Sequence, residues 1–301
     1  MIDDTPSVRP SLHILFTMDC EPVATRSAPD GPRHWEISAR SIEGFCSLLL
    51  NAGYVPTLFV APPSAVEHAP MLEELAERGV EVGLKVHPPS MLDGRFKHML
   101  GDYNEEAQHY LIESAADEVH KVLGFWPRSF RGGRFSASDV TFKLLYELGF
   151  RQGSLSLPGR HVPRHGAAWE GAVEDPHYTD RADRLRAGTL PFLEIPVTSD
   201  PARFYRSGYP YELCLERGPF EGWHRELIEN RLARMAAEQV RFRALCFYTA
   251  NTLPYHDYNS RYAGTLQALL SYLDTLSDTY EVIPTTLAGA HDRFRRMVHE
   301  P

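Results

Sequence analysis

Short apolar segments alternate with amphipathic segments along the 301-residue chain, and this alternation constrains the fold more than any other feature. Apolar runs of about four to eight residues are typical of buried strands, whereas apolar residues spaced three and four apart are typical of helices. Strands that alternate with helices predict a parallel sheet with helical crossovers. The predicted strands are residues 12–18, 55–61, 80–86, 129–131, 150–156, 192–198, 244–250 and 281–284, and the predicted helices are residues 39–51, 70–78, 104–123, 139–148, 223–239 and 264–276.

A parallel sheet of this kind is either a barrel or a doubly wound sheet. No Gly-x-Gly-x-x-Gly turn follows the first strand and the chain has no phosphate-binding loop, so dinucleotide binding lacks its main support. Polar residues instead follow strands one, three, four and seven, and a barrel builds its active site at these strand ends. We therefore predict an α/β barrel that forms one domain over residues 1–301. A loop-rich insertion, about residues 161–190, is expected to lie over the site.

The charge and composition of the chain limit the kinds of molecule that it is expected to bind. The net charge of -9 argues against nucleic acid and anionic membranes, since both require a basic surface, so a small-molecule or carbohydrate substrate is expected. Residues 1–10 lack a basic and apolar leader, and no apolar run reaches the roughly 18 residues of a membrane span, which predicts a cytoplasmic protein. The four widely spaced cysteines predict buried thiols rather than disulfides or a structural zinc site. The sequence leaves the oligomeric state open.

Two pairs of polar residues are spaced two apart at predicted strand ends. Asp19 and Glu21 follow the first strand, and Lys85 and His87 follow the third, so each pair shares one face. Two carboxylates aimed together can divide the work of a general base and a charge partner or metal ligand. For the acids, the alternative is a solvated or salt-bridged strand end, and for the histidine it is a hydrogen-bonded loop residue. Lys85 is less ordinary, because only four of the 31 basic residues are lysines.

Further candidates follow the fourth and seventh predicted strands. Arg131 and Arg134 flank two glycines, and either guanidinium can orient a carboxylate, although a basic loop that pairs with surface acids is the alternative. Asn251 closes the seventh strand and is a usable hydrogen-bond partner. Tyr255 and His256 follow. The ring of Tyr255 can stack on a sugar, with a core or interface position as the alternative, whereas for His256 a flexible surface position in a loop is the alternative.

Five segments in order resemble the motifs of the polysaccharide deacetylases, the family built on the NodB homology domain. Residues 16–21 resemble the first motif, an apolar strand that ends in a catalytic aspartate and a metal-binding acid. Residues 81–88 resemble the second motif, and residues 129–136 the third, whose arginine holds the catalytic aspartate. Residues 149–154 and 246–258 fall where the fourth and fifth motifs lie. The resemblance covers about residues 10–290 and implies a distorted (β/α) barrel of the NodB type.

The resemblance also implies roles for individual residues. Asp19 is expected to act as the base and Arg131 to orient it, while Glu21 and His87 are expected to bind a divalent metal such as zinc. The family reaction is hydrolysis of an N-acetyl or related amide, in which the metal polarises the acyl carbonyl and activates water. The remaining candidates are Lys85 and Asn251 for catalysis, and Arg134, Ser154, Tyr255 and His256 for substrate binding.

Three residues depart from the family pattern. Lys85 stands where a metal-binding histidine is expected, and an ammonium has no lone pair to donate. Ala250 stands at the position of the general-acid histidine, and Gly153 where relatives often have an aspartate. Two ligands remain of the three that catalytic zinc normally has. Lys85 facing Asp19 and Glu21 suggests that its charge replaces that of the metal.

Three functions stay open at this point. The first is a hydrolase that cleaves the C–N amide bond of an acylated amino sugar or a similar small substrate. The second is a non-hydrolytic relative that binds a carbohydrate or a protein. The third is a metal-independent enzyme in which Lys85 acts as a base or forms a Schiff base.

Overall fold

A computed structural model describes residues 9–27, 30–91 and 95–299. The predicted domain, residues 1–301, therefore includes short segments outside the described residues. The strands in the described ranges are β1 Ser11–Cys20, β2 Thr57–Val60, β3 Glu81–Val86, β4 Ser129–Gly132, β5 Gln152–Gly153, β6 His161–Val162, β7 Ala167–Ala168, β8 His177–Thr179, β9 Leu190–Glu194, β10 Ser199–Phe204, β11 Pro210–Glu212, β12 Arg243–Ala250 and β13 Glu281–Pro284. The helices in these ranges are α1 Ala24–Ser27, α2 Trp35–Asn51, α3 Pro62–Glu77, α4 Glu105–Leu123, α5 Thr141–Glu147, α6 Arg225–Ala237, α7 Arg261–Thr275 and α8 Leu287–His299.

Strand β1 is the centre of the fold. Nine of its ten residues are buried, so both of its faces are covered, as expected of a strand in a parallel sheet. Strand β12 pairs with it in parallel along one edge. Along the other edge, β13 pairs with its first half and β2 with its second half. The long apolar run at the start of the chain is thus the strand on which the sheet is assembled.

The main sheet curls into a barrel. Its strand order is β12-β1-β2-β3-β4-β5-β9-β8, with β13 beside β1, and the pairings are parallel except for β8 with β9. Beyond β9, the Thr198 amide donates to the Cys246 carbonyl of β12 at 3.1 Å. The Thr198 hydroxyl accepts from the Cys246 amide at 2.9 Å. These contacts bring the two sides of the sheet together and confirm the predicted distorted α/β barrel.

Helix boundaries follow local chemistry. The side chain of Asn104 caps α4 by accepting from the Ala107 amide at 3.0 Å, and Gly124 ends the helix with φ of 75°. Helix α3 begins eight residues before its predicted start, because prolines at its first positions lose no helical hydrogen bond. It bends at His68, close to an internal proline. Helix α8 was not predicted.

The predicted strand at 150–156 is regular only at Gln152–Gly153. The amides of Leu155 and Ser156 donate to the Glu194 carboxylate at 2.9 and 2.7 Å instead of to a neighbouring strand. A buried side chain therefore satisfies backbone groups that a longer ladder would otherwise bind. The apolar pattern of the sequence alone does not show that a carboxylate replaces strand pairing here.

Two segments cross the end of the barrel where the parallel strands finish. The predicted insertion contains the β6–β7 hairpin and β8, so part of it joins the main sheet rather than covering the site. The second segment was not predicted: the β10–β11 hairpin leads into residues 213–217. The Leu215 amide donates to the Tyr248 carbonyl at 3.0 Å, which fixes this segment against the end of β12.

Other sequence predictions concern the chain as a whole. A buried apolar cluster includes residues from Leu12 to Leu273 and fills the space between the sheet and its helices. The four cysteines are buried and unpaired, as predicted. Within the ranges given above, we find no helix with the length and apolar character that a bilayer span requires.

Candidate active site

The polar residues predicted at the strand ends meet at a cavity of about 770 Å³. Asp19 lies near the end of β1, Lys85 near the end of β3 and Ala250 at the end of β12, and all three line the cavity. Parallel strands present their carboxyl ends on one side of a sheet, which explains why residues so distant in sequence converge. The cavity has the size of a small-molecule site.

Lys85 lies between the two carboxylates that follow β1. Its Nζ is 2.5 Å from Asp19 Oδ2 and 3.1 Å from Glu21 Oε1. The lysine side chain is 2% exposed, so its charge is balanced by these acids rather than by water. Burial alone lowers the pKa of the ammonium, but the attraction of the two carboxylates outweighs it and the pKa is raised. Lys85 is therefore a fixed positive charge.

Arg131 holds Asp19 from the opposite side. Its Nη1 donates to Asp19 Oδ1 at 2.9 Å and to the Thr17 hydroxyl at 3.0 Å. The other edge of the guanidinium donates to the carbonyl and hydroxyl of Ser154, both at 2.8 Å, and the group lies 4.3 Å from the centre of the Phe59 ring. With Lys85 on Oδ2 and Arg131 on Oδ1, the Asp19 carboxylate is fixed in orientation.

Glu21 and His87 form a second buried pair. His87 Nδ1 lies 3.0 and 3.1 Å from the two carboxylate oxygens of Glu21. Burial raises the pKa of Glu21, but the charges of Lys85 and His87 act more strongly and hold it well below its usual range. A Cβ at Gly133 would lie 2.8 Å from atoms of the His87 ring, so a residue without a side chain is needed beside it.

The other predicted site residues occupy different positions. Arg134 lines the cavity, where it donates to Asp30 at 2.6 and 2.8 Å. Ser154 is fully buried behind Arg131 and acts as its support. Asn251 is also buried: its side chain accepts from the Glu21 amide at 3.1 Å and donates to the Glu21 carbonyl at 2.9 Å. Asn251 therefore fixes the backbone at the end of β1.

The two loop residues predicted to bind substrate are not brought to the cavity. Tyr255 is fully buried and packs against Phe45, and its hydroxyl lies 2.7 Å from that of Thr249. It belongs to the core because the aromatic ring fills space between β12 and α2. His256 is exposed and is not among the residues that line the cavity.

Comparison with solved structures identifies the fold of this chain. No protein-family model matches the sequence, and no curated protein does either. A structure described as a polysaccharide deacetylase from Mycobacterium smegmatis matches with a TM-score of 0.61 and 15% identity, covering 99% of this chain and 96% of the other. A glycoside hydrolase/deacetylase structure from Parabacteroides distasonis matches with a TM-score of 0.68 and 13% identity, covering 97% and 72%. The chain has the NodB-type fold of the polysaccharide deacetylases.

The NodB-type fold carries more than one activity. The structure of PuuE allantoinase matches with a TM-score of 0.61 and 14% identity, covering 96% of this chain and 92% of the other. Sequence identities of 13–15% establish a shared fold only. The reaction depends on the side chains at the site.

The donors at the site do not fit the zinc ion that the NodB-type fold implies. Glu21 and His87 are the ligands expected by resemblance, but the third position holds the Lys85 ammonium, which cannot ligate. Within the described ranges, no three histidine, cysteine or acidic side chains form a group suited to a metal. Catalytic zinc normally has three protein ligands. The ammonium moreover already lies beside the carboxylate that such an ion would need.

The departure at Gly153 has a steric explanation. A Cβ at this position would lie 2.4 Å from Leu155 Cδ1 and 2.9 Å from the Phe130 carbonyl oxygen. An aspartate, as relatives with the NodB-type fold often have here, would require Leu155 and the neighbouring strand to move. The site is thus built without that carboxylate.

Glu216 is a cavity residue that the sequence analysis missed. Ala250 is paired with Asp19 on β1, and Cys214 is bridged to Tyr248 on the other side of β12. The chain turns directly beyond that bridge, and Glu216 lines the cavity together with Ala250, the position at which a NodB-type fold normally carries its general-acid histidine. Burial and, next, the negative charge of Asp19 raise the pKa of Glu216. A carboxyl in a cavity with a raised pKa is a candidate proton donor.

Proposed function

We propose that this protein hydrolyses the C–N amide bond of a small acylated substrate, such as an acylated amino sugar, without a metal ion. The observation that carries the proposal is the common cavity that Asp19, Lys85 and Glu216 line. The cavity combines the oriented Asp19 carboxylate, the fixed Lys85 cation and the Glu216 carboxyl with its raised pKa. These are the groups that amide hydrolysis needs as base, oxyanion partner and acid.

Asp19 would act as the general base. Two cations fix the orientation of its carboxylate, and a water between the carboxylate and the acyl carbon would lose a proton to Asp19 on attack. Lys85 would stabilise the oxyanion that forms. An ammonium has three protons, and the contacts with Asp19 and Glu21 account for two, so the third is available to the carbonyl oxygen. Its charge would then do what a metal does in the family reaction.

Glu216 would protonate the leaving nitrogen. Breaking the C–N bond requires a proton on nitrogen, since an amide anion is too basic to leave. The raised pKa of Glu216 favours the protonated carboxyl that can supply it. After product release, the proton taken by Asp19 must return to Glu216 through water.

Of the two other candidates, the binding relative keeps specific support. Ala250 removes the family's acid and Lys85 removes a ligand, as expected of a site that binds a carbohydrate without turnover. The Schiff-base enzyme has less support. Its nucleophile must be a neutral amine, whereas two carboxylates raise the pKa of Lys85.

Amine release from a panel of N-acetylglucosamine oligomers and N-acetyl amino acids, measured in EDTA, tests the proposal. We expect turnover in EDTA and a loss of about 100-fold or more in kcat for Asp19→Asn, as is typical of a general base. Glu216→Gln should lower kcat and abolish the decline in rate that the wild type shows as pH rises and Glu216 ionises. The charged groups that bear on this titration are Asp19, Glu212 and Arg217.

Glu221→Gln is the matched control, because Glu221 is an exposed acid close to Glu216 and pairs only with Arg225 among the described residues. It should leave the rate unchanged. Unaltered turnover in Asp19→Asn, or turnover that requires added zinc, contradicts the proposal. Saturable binding of a panel member without product favours the binding relative.

A further inference from the structure

The cavity contains several cations, and most of them are paired. Lys85 contacts Asp19 and Glu21, Arg134 donates to Asp30, and Arg217 lies 3.1 Å from Glu212. Arg33 is exposed to water at the cavity opening. Arg160 is different. It lines the same cavity and is partly buried, yet none of the ion pairs among the described residues includes it.

Arg160 is held in place by its backbone and by aromatic rings. Its amide donates to the Leu157 carbonyl at 2.9 Å, and its carbonyl accepts from the Trp169 amide at 2.8 Å. The guanidinium lies 5.1 Å from the centre of the Phe135 ring and 4.9 Å from that of Tyr209. Rings on the faces of a guanidinium leave its edges, where the N–H groups point, free to donate. The group is thus positioned before any ligand arrives.

Among the residues that the structure describes, no hydrogen bond from the Arg160 side chain is found. Its Nε is buried and has no hydrogen-bond partner in the described part of the chain. A partly buried guanidinium without a carboxylate is unfavourable, because burial removes water and nothing replaces it. By contrast, Arg131, which lies near the end of β4 beside Asp19, is fully buried and donates from three of its nitrogens. The absence of a partner at Arg160 points to a ligand.

We infer that Arg160 binds a carboxylate of the substrate, which makes the substrate a small amide that also carries an acid group. The inference rests on the proposed function for the amide, but the binding of the acid is independent of turnover. A planar guanidinium matches a carboxylate with two parallel hydrogen bonds. A phosphate dianion fits less well, because a single unpaired cation would have to hold it in a cavity that Asp19, Glu21 and Glu216 also line.

Binding of matched acids and amides tests the inference. The probes are N-acetylglycine and hippurate, their primary amides, and inorganic phosphate. Dissociation constants are measured by ligand-observed NMR on the full chain carrying Asp19→Asn, so that no probe is consumed, and again on the wild type. We expect both acids to bind, and Arg160→Gln to weaken them by about 10-fold to 100-fold, the range for a lost charge-assisted hydrogen bond. The amides should be affected less than 2-fold.

Arg33→Gln is the matched control, since it removes one cavity charge that water screens, and acid binding should change less than about 2-fold. Arg160→Lys keeps the charge and guards against misfolding; we expect it to bind acids better than Arg160→Gln. Equal acid binding in wild type and Arg160→Gln, no acid binding by the wild type, or tighter binding of phosphate than of either acid each overturns the inference. Acid binding that depends on Arg160, with no hydrolysis of any amide, rejects the proposed function alone.

Discussion

Replacing Lys85 by methionine should destabilise the fold, because it removes a charge that two buried carboxylates need. Methionine has similar length and volume but no charge. At an effective dielectric constant of about 20, charges separated by the observed 2.5 and 3.1 Å attract by roughly 7 and 5 kcal/mol. Most of this attraction offsets the loss of hydration that burial imposes. The expected loss in the free energy of unfolding is therefore the cost of leaving a buried charge unpaired, about 3–5 kcal/mol.

Thermal unfolding followed by circular dichroism at neutral pH measures this loss as a fall in Tm. For a chain of this length, about 2 °C in Tm corresponds to 1 kcal/mol, so the midpoint should fall by roughly 6–10 °C. Asp19→Asn with Lys85→Met should lose less than the sum of the two single changes, with a coupling of at least about 1 kcal/mol. Lys143→Met is the matched control, because Lys143 pairs with Glu105 on the surface, and it should leave the midpoint unchanged.

A Lys85→Met protein as stable as the wild type would refute the reasoning. It would mean that Arg131 alone compensates Asp19 and that Glu21 is balanced without the ammonium. Additive losses in the double variant would lead to the same conclusion, since groups that do not interact contribute independently.

Two further predictions concern the metal position and a buried acid. Calorimetric titration with zinc should give no heat with the native chain, whereas Lys85→His, which supplies a third ligand beside Glu21 and His87, should bind zinc; strong binding by the native chain would reject the electrostatic role of Lys85. Burial raises the pKa of Glu194 to about 7, so this acid ionises in the unfolded chain at lower pH than in the folded one, and stability falls as pH rises from about 4.5 to 7. Glu194→Gln should remove that decline, gaining roughly 2–3 kcal/mol between pH 5 and 8 relative to wild type; parallel pH profiles from urea unfolding would contradict it.

Local patterns in the sequence were enough to predict that Asp19 and Glu21 lie close to Lys85 and His87, which form the inner part of the site. Period-two spacing puts Asp19 with Glu21 and Lys85 with His87 on common faces, and the parallel sheet brings these faces together. The long apolar run of β1 identified the central strand. These features follow from geometry that is set within a few residues.

The outer part of the site could not be predicted in this way. Glu216 reaches the cavity from a turn that directly follows the bridge between Cys214 and Tyr248, and no periodicity in the sequence predicts a bridge between residues so far apart. Arg160 belongs to a loop whose position depends on buried Trp169. Tyr255 was assigned to substrate because it follows a strand end, but an aromatic ring beside an apolar helix gains more from burial than from exposure.

Two of the three departures from the family pattern, Lys85 and Ala250, are better understood together than separately. Lys85 supplies a cation where relatives need a metal ligand, so the positive charge of the site is retained although the ligand is lost. Ala250 lacks the proton donor of the family histidine. Its side chain is only a methyl group, which leaves space in the cavity that Asp19 and Glu216 also line. A histidine at 250 would compete with the Glu216 carboxyl for that space. A site that had merely decayed would have no reason to keep a balanced charge or to gain a replacement acid, and the presence of both favours an altered enzyme over an inactive one.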